Sequence, residues 1–240
     1  MWRPRPIRRA ELAAVLVLAL PATCAAQGAA QGAAANPELV TDRPGFGESS
    51  AVVGRGTLQA ETGLTVVRAD HAHPRDTIAQ VLLRGGITSR AELRLAVDGH
   101  DVEVGGKVKL LDATRAGLDL AVIPYLSHDP GVKVAAGRGL PHGFGLSGTF
   151  NATDARGDGG RAWQREVSLS LDHGLGARVG AYGEVDGGFA GQGCACSVDG
   201  GVTIGVGAHG QFDVEVGHRV HGEAQDWFMG AGFAVRRLHR

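Results

Sequence analysis

His71 and His73 stand two positions apart, a spacing at which both imidazoles can reach one metal ion. Asp70 and Asp76 lie on either side of them and carry carboxylates of the kind that would complete such a site. Two histidines without identified further ligands are more often ordinary loop residues. We therefore predict no metal site and no cofactor.

Hydrolysis would need a nucleophile and a base within hydrogen-bond reach of each other. Ser147 with His142 or His173 is the set that can be proposed, but nothing in the sequence brings these residues together. The Gly-x-Ser-x-Gly elbow of α/β-hydrolases is absent, and residues 145–148 fall inside an alternating segment. The sequence thus predicts no catalytic residues and no enzyme, and a hydrolase is only the third hypothesis.

Charged residues recur instead on one side of segments in which apolar and polar residues alternate. Val102 and Val104, for example, flank Glu103. Alternation with a period of two is typical of a strand with one apolar and one polar face. The charged residues predicted to line the interior of a barrel are Glu61, Arg94, Asp98, Glu103, Lys107, Lys109, Glu166, Arg178, Glu184, Asp186, Asp213, Glu215 and Arg219. Acidic residues outnumber basic ones among them, which predicts a mild preference for cations.

The alternating segments continue from residue 57 almost to the end of the chain, separated by clusters of Gly, Pro, Asp and His. Their length of roughly 10 residues suits a tilted transmembrane strand. The predicted fold is all-β, a single antiparallel up-and-down transmembrane β-barrel of about 12 strands. The predicted strands are 57–69, 76–87, 91–99, 102–111, 117–127, 131–139, 142–153, 163–172, 177–188, 197–208, 211–220 and 226–237. The longest outer loops are then expected at 154–162 and 189–197.

Composition supports a barrel over a helical or disordered chain. Hydrophobic residues make up 43% and charged residues 20%, and 39 of the 240 residues are glycine. Each glycine inside a helix costs about 1 kcal/mol relative to alanine, whereas curved strands tolerate glycine. Alternation also fits a soluble sandwich, but the apolar row here is small and aliphatic, which favours a lipid-facing surface. Candidates for the aromatic girdles are Phe144, Phe150, Trp163, Tyr182, Phe212, Trp227 and Phe233.

The N-terminus has the order of a secretory signal peptide: Arg3 to Arg9, an apolar run at 12–20, then small residues. We predict a signal peptide over 1–26, a flexible spacer and lead-in segment over 27–56, and the barrel over 57–240. In the lead-in, Asp42, Arg43 and Pro44 are predicted to form a plug or cap. Asp42 and Arg43 would pair with interior charges such as Glu61 or Lys107, although a role in stabilising entry into the first strand is the alternative.

Cys194 and Cys196 remain after signal cleavage, too few for a disulfide scaffold. They are either small loop residues or partners in a strained Cys-x-Cys bridge formed in an oxidising compartment. The formal net charge of −1 gives no electrostatic basis for binding nucleic acid.

Residues 39–49 (LVTDRPGFGES) and 56–63 (GTLQAETG) resemble the opening of the outer-membrane barrels grouped as the MetA-pathway of phenol degradation family. Thr41-Asp42-Arg43-Pro44 is the most specific part of that resemblance. The resemblance implies a Gram-negative outer-membrane barrel that lets small, often aromatic or apolar compounds through, and it implies no catalytic residues. Further matching segments are 82–94, 121–127, 213–217 and 226–233.

The function predicted from the sequence is that of an outer-membrane channel or passive transporter for small molecules. A non-transporting structural or adhesive surface barrel is the alternative. The expected partners are outer-membrane lipid, small-molecule solutes and the barrel-assembly machinery. Many outer-membrane barrels end on an aromatic residue, and Phe233 is the nearest candidate here.

Overall fold

The computed structural model describes residues 39–68, 76–157, 160–190, 193–222 and 227–238. The predicted signal peptide and the first part of the spacer lie outside these residues, as do His71 and His73. None of the helices in the described part of the chain is long and apolar enough to cross a membrane.

Almost every described residue after Arg55 belongs to a strand or a tight connection. A four-residue helix, α1 (Ala113–Ala116), and a short 3₁₀ helix (Pro141–Gly143) lie in two of the connections between strands. The strands are β1 (Thr57–Arg68), β2 (Asp76–Gly86), β3 (Ala91–Asp98), β4 (Asp101–Leu111), β5 (Asp119–Leu126), β6 (Gly131–Gly139), β7 (Phe144–Gly157), β8 (Gly160–Gly174), β9 (Val179–Ala190), β10 (Gly193–Val206), β11 (Gly210–His221) and β12 (Trp227–Leu238).

The twelve strands form one closed antiparallel barrel in which each strand pairs with its neighbours in sequence. The barrel closes between β1 and β12, where Thr57 pairs with Leu238 and Arg68 with Trp227. Closure leaves no free sheet edge, so the backbone groups of the strands can be paired within the barrel. The predicted barrel and its strand number are confirmed. We call the end of the barrel that holds Thr57 and Leu238 the terminal end, and the other the loop end.

Alternation along each strand separates a polar interior from an apolar exterior. On β1, Gln59 and Glu61 are 3% and 0% exposed, whereas Leu58 and Leu64 are 60% and 56% exposed. The exterior is therefore a broad band of exposed aliphatic side chains, as a lipid-facing surface requires. It includes Leu83, Leu93, Leu95, Val102, Val104, Val108, Val167, Leu169, Leu171, Val185, Val198, Ile204, Val214, Val216 and Val235.

Two connections predicted as long loops, 154–162 and 189–197, are mostly strand. β7 runs to Gly157 and β8 begins at Gly160, while β9 runs to Ala190 and β10 begins at Gly193. Polar residues on both faces obscured the alternation there. In the β7–β8 hairpin such residues pair with one another, as Arg161 Nε and Asp154 Oδ2 do at 2.8 Å. Cys194 and Cys196 accordingly lie in β10 rather than in a loop, and both are free thiols.

Glycines make room for large side chains that point inward from the neighbouring strand. Gly131 pairs directly with Tyr125, and a Cβ at Gly131 would lie 2.4 Å from Tyr125 Oη. Gly201 pairs with Tyr182, and a Cβ there would lie 2.5 Å from the tyrosine ring. Such contacts are shorter than real Cβ atoms allow, so these interior aromatic side chains require glycine opposite them.

Candidate functional site

Residues 39–56, which we call the interior segment, precede β1, and all but the exposed turn at 54–56 lie inside the barrel. Their hydrogen-bond partners come from strands all around the wall. The amide of Asp42 donates to Glu61 Oε2 at 2.9 Å, and Gln211 Nε2 donates to Thr41 Oγ1 at 2.9 Å. The amide of Glu48 donates to Thr149 Oγ1 at 2.7 Å. The segment therefore joins β1, β7 and β11 across the interior.

Asp42 is the centre of a cluster of cations on β2, β3 and β4. Its carboxylate lies 2.9 Å from Lys107 Nζ, 2.5 Å from Arg94 Nη1 and 3.4 Å from Arg84 Nη1. All four side chains are almost completely buried. Burial alone raises the pKa of Asp42, but the charges of Arg84, Lys107 and Arg94 outweigh it and hold that pKa well below its ordinary value.

Glu48 is the second carboxylate that the interior segment places on this wall. It lies 2.7 Å from Arg94 Nη2 and 3.1 Å from Lys133 Nζ. Burial raises the pKa of Glu48 and Asp42 raises it further, but Arg94 and Lys133 lower it more, so the carboxylate is favoured. Asp42 and Glu48 thus balance positive charges that would otherwise be buried without sufficient counter-charge.

Arg84 holds the two ends of the interior segment to the wall. Its guanidinium donates to the carbonyl oxygens of Val40 and Ala51, both at 2.9 Å. It also pairs with Glu92 at 2.8 Å and Glu61 at 3.2 Å. Glu92 was expected in the charged row that faces the interior, but Arg84 was not among the interior residues predicted from the sequence. The alternation of Gln80, Leu82 and Arg84 with Val81 and Leu83 is the signal that would have found Arg84.

The opposite wall, built from β9, β10 and β11, is acidic, and there the interior segment supplies donors. Arg43 Nη2 lies 3.4 Å from Asp213 Oδ1 and 3.8 Å from Glu215 Oε1. The amide of Gly45 donates to Glu215 at 2.9 Å, and the amide of Phe46 donates to Glu184 at 3.1 Å. The segment is therefore polarised: its carboxylates face the basic wall, and its guanidinium and two of its backbone amides face the acidic one.

The structure distributes the predicted interior charges over three environments. Glu61, Arg94, Lys107, Glu184, Asp213 and Glu215 contact the interior segment. Glu103 and Lys109 pair within the wall, with Lys133 at 3.1 Å and Asp119 at 2.7 Å. Glu166 accepts from Asn151, and Asp98 lies beside Gln80 near the loop end.

Four further residues named from the sequence have different outcomes. Asp186 and Arg219 are half-buried on the interior faces of β9 and β11. Arg178 is exposed in the turn before β9, because that strand begins only at Val179. Tyr182 is not a girdle residue: its hydroxyl lies 3.5 Å from Glu215 Oε2, inside the barrel. It shares the interior parity of Glu184, two positions along the same strand.

A cavity of about 350 Å³ lies between the interior segment and the wall near the terminal end. Pro44, Ser147, Asp172, Tyr182 and Gln211 are among the residues that line it. This volume is at the small end of the range for ligand pockets. The interior segment separates the cavity from the acidic residues nearer the loop end.

The residues considered for hydrolysis form no assembled site. Ser147 and His173 both line the cavity, but His173 contacts the carbonyl of Gly143 at 3.2 Å and stacks on Phe144. Within the described ranges, no group of three His, Cys, Asp or Glu residues is arranged to hold a metal ion.

No protein-family model and no curated protein matches this sequence. Solved structures do match. An outer-membrane channel from Pseudomonas putida F1 is 12% identical with a TM-score of 0.61, covering 81% of this chain and 99% of that one. The NanC porin is 8% identical with a TM-score of 0.57, covering 74% of this chain and 98% of that one. At these identities the likeness establishes the fold, that of outer-membrane channel and porin barrels.

A third structure with this fold is described as the CymD monoaromatic hydrocarbon channel. It is 8% identical with a TM-score of 0.51, covering 77% of this chain and 90% of that one.

Proposed function

We propose that this protein is an outer-membrane channel for small molecules and that the interior segment closes it. The observation that carries the proposal is the position of residues 39–56, which are bonded to the basic and the acidic walls at once. The barrel fold, shared with channels and porins, and a charged interior both support a route for solutes. A twelve-stranded barrel is wider than the eight-stranded type that side chains fill, so a segment is needed to close it.

The outer membrane is the location that the exterior supports. An exposed aliphatic band covers the strands, with Trp163 and Trp227 near the loop end and Phe144, Phe212 and Phe233 near the terminal end. Aromatic residues at two levels are typical of barrels in the outer membrane. Export by a cleaved signal peptide over 1–26 and insertion by the barrel-assembly machinery complete this proposal. The proposal includes membership of the MetA-pathway of phenol degradation family, because residues 41–44 resemble the opening segment of that family.

Cation preference follows from the charges between the interior segment and the loop end. Asp98, Glu103, Glu166 and Asp186 lie there against Lys133 and Arg219. An excess of one sign in a narrow, low-dielectric passage raises the local concentration of the opposite ion. Reversal potentials in a KCl gradient should therefore show a mild preference for K⁺ once the barrel is open, and anion selectivity would contradict this.

The test is a deletion of residues 38–50, refolded and inserted in planar bilayers. We expect the deletion to raise single-channel conductance severalfold over the chain that begins at residue 27. The matched control begins at residue 38 and so lacks a segment of similar length, residues 27–37, that precedes the interior segment in the sequence. Equal conductance in all three would reject closure by the interior segment, and no conductance in any of them would favour a structural barrel.

A further inference from the structure

Arg43 lies on a patch of barrel wall that has no side chains. Gly63 on β1 and Gly232 on β12 pair directly across the seam where the barrel closes. A Cβ at Gly63 would lie 2.3 Å from Cζ of Arg43, and one at Gly232 would lie 2.5 Å from its Nε. No other residue type at these positions leaves room for the guanidinium where it is. The paired glycines therefore form a flat floor under a flat cationic group.

The acceptors around this floor suit a guanidinium. Asp213 Oδ1 and Glu215 Oε1 lie 3.4 and 3.8 Å from Arg43 Nη2, and Gln80 Oε1 accepts from Nη1. The side chain of Asp213 is 0% exposed, and its Oδ2 has no hydrogen-bond partner among the described residues. A buried carboxylate oxygen without a donor is costly, so this site has acceptor capacity that Arg43 does not use.

The site faces the loop end of the barrel, where acidic residues outnumber basic ones. Gln80, which contacts Arg43, also lies 3.5 Å from Asp98 on the loop-end side. Thr65 Oγ1 donates to Glu215 Oε1 at 3.3 Å on the same side of the guanidinium. The side chain of Arg43 keeps 11% of its surface exposed, whereas that of Asp213 is fully covered. A cation entering from the loop end would therefore meet acidic groups before it meets Arg43.

We propose that Arg43 occupies a binding site for guanidinium groups, built by Gly63, Gly232, Asp213, Glu215 and Gln80, and that small guanidinium-bearing solutes compete with it. The side chain of the interior segment is then a tethered copy of the ligand. A solute that takes its place removes the ion pairs of the segment with Asp213 and Glu215 and so favours opening. This deepens the proposed channel function and rests on it for the route by which a solute arrives.

The experiment replaces Arg43 and offers the missing group in solution. Refolded Arg43→Ala protein in detergent is heated with and without millimolar methylguanidinium chloride, at ionic strength held constant with NaCl, and its unfolding temperature is measured. We expect methylguanidinium to raise the unfolding temperature of Arg43→Ala in a saturable way and to leave the wild type unchanged. Adding Asp213→Asn to Arg43→Ala should raise the half-saturating concentration about tenfold, because a charge-assisted hydrogen bond is lost.

Arg161→Ala is the matched control, since Arg161 also pairs with an aspartate, Asp154, at 2.8 Å, but outside the interior. Methylguanidinium should not stabilise it. Equal stabilisation of both variants, equal stabilisation by tetramethylammonium, or no dependence on Asp213 would overturn the proposal. If Arg43→Ala refolds poorly, its refolding yield with and without methylguanidinium carries the same test.

The measurement requires no conductance, so it separates this proposal from the channel function. Rescue by methylguanidinium in a protein that never conducts would support the site and reject the channel. Conductance after deletion of 38–50, without rescue of Arg43→Ala, would reject the site alone.

Discussion

Asp42 Oδ2 lies 2.9 Å from Lys107 Nζ, and the two side chains are 3% and 0% exposed. One partner belongs to a segment that precedes the barrel, and the other belongs to β4. A fully buried lysine is rare unless it is paired, so the charged wall and the segment depend on each other. The position of the segment is in this sense a property of the folded barrel rather than of a loosely attached tail.

Asp42→Asn is expected to weaken both the fold and the closure. It removes one carboxylate from among Lys107, Arg94 and Arg84, and breaking one partner of a buried ion pair typically costs about 3–5 kcal/mol. We expect a lower unfolding temperature on heat-modifiable gels and higher conductance in bilayers. Glu103→Gln is the control, because its pair with Lys133 is 20% and 19% exposed and should lose much less. Similar losses in both variants would contradict the central position of Asp42.

Acid should open the channel only at low pH. The pKa of Asp42 is held well below its usual 3.8, and that of Glu48 is also below its usual 4.5. A carboxylate with a lowered pKa contributes its full stability above the unfolded pKa and loses it as pH falls through the folded one. Conductance should therefore stay flat from neutral pH to about pH 5 and rise only below about pH 4. Opening between pH 5 and 7 would show that another group controls closure.

The strands were predictable because alternation is a local property that a lipid-facing barrel repeats around its wall. β4 illustrates this, since Val102, Val104 and Val108 face out while Glu103 and Lys107 face in. The ends of β7 and β8 were missed because their polar residues resemble those of a loop. The closing pair, Thr57 with Leu238, joins the two ends of the barrel and has no local signal.

The site was predictable in part. The charged opening at Asp42 and Arg43 was assigned to the interior, and Lys107 was named as a partner. Which wall each residue faces depends on the arrangement of strands around the barrel, which spacing does not encode. The contacts of Arg84 with Val40 and Ala51 are of this kind, because β2 and the segment meet only after closure.

Gly63→Ala is expected to displace Arg43 while leaving the barrel intact. The new Cβ would meet the far end of a flexible side chain, so the guanidinium moves and its contacts with Asp213 weaken. The expected loss is roughly 1–3 kcal/mol, the range for hydrogen bonds to charged groups. Gly183→Ala is the matched control, a strand glycine whose nearest neighbour to a new Cβ is 4.0 Å away. Equal unfolding temperatures for the two variants would argue against the glycine floor.

The exterior band predicts how arginine is tolerated at different depths. Leu169 is 55% exposed near the middle of β8, and Val220 is 47% exposed near the loop end of β11. Arginine on a lipid face costs about 2–4 kcal/mol at the bilayer midplane and about 0–1 kcal/mol near the interface. In urea unfolding from lipid vesicles, Leu169→Arg should therefore lose several times more stability than Val220→Arg. On a water-facing surface both arginines would be nearly neutral, so equal small effects would reject the membrane location.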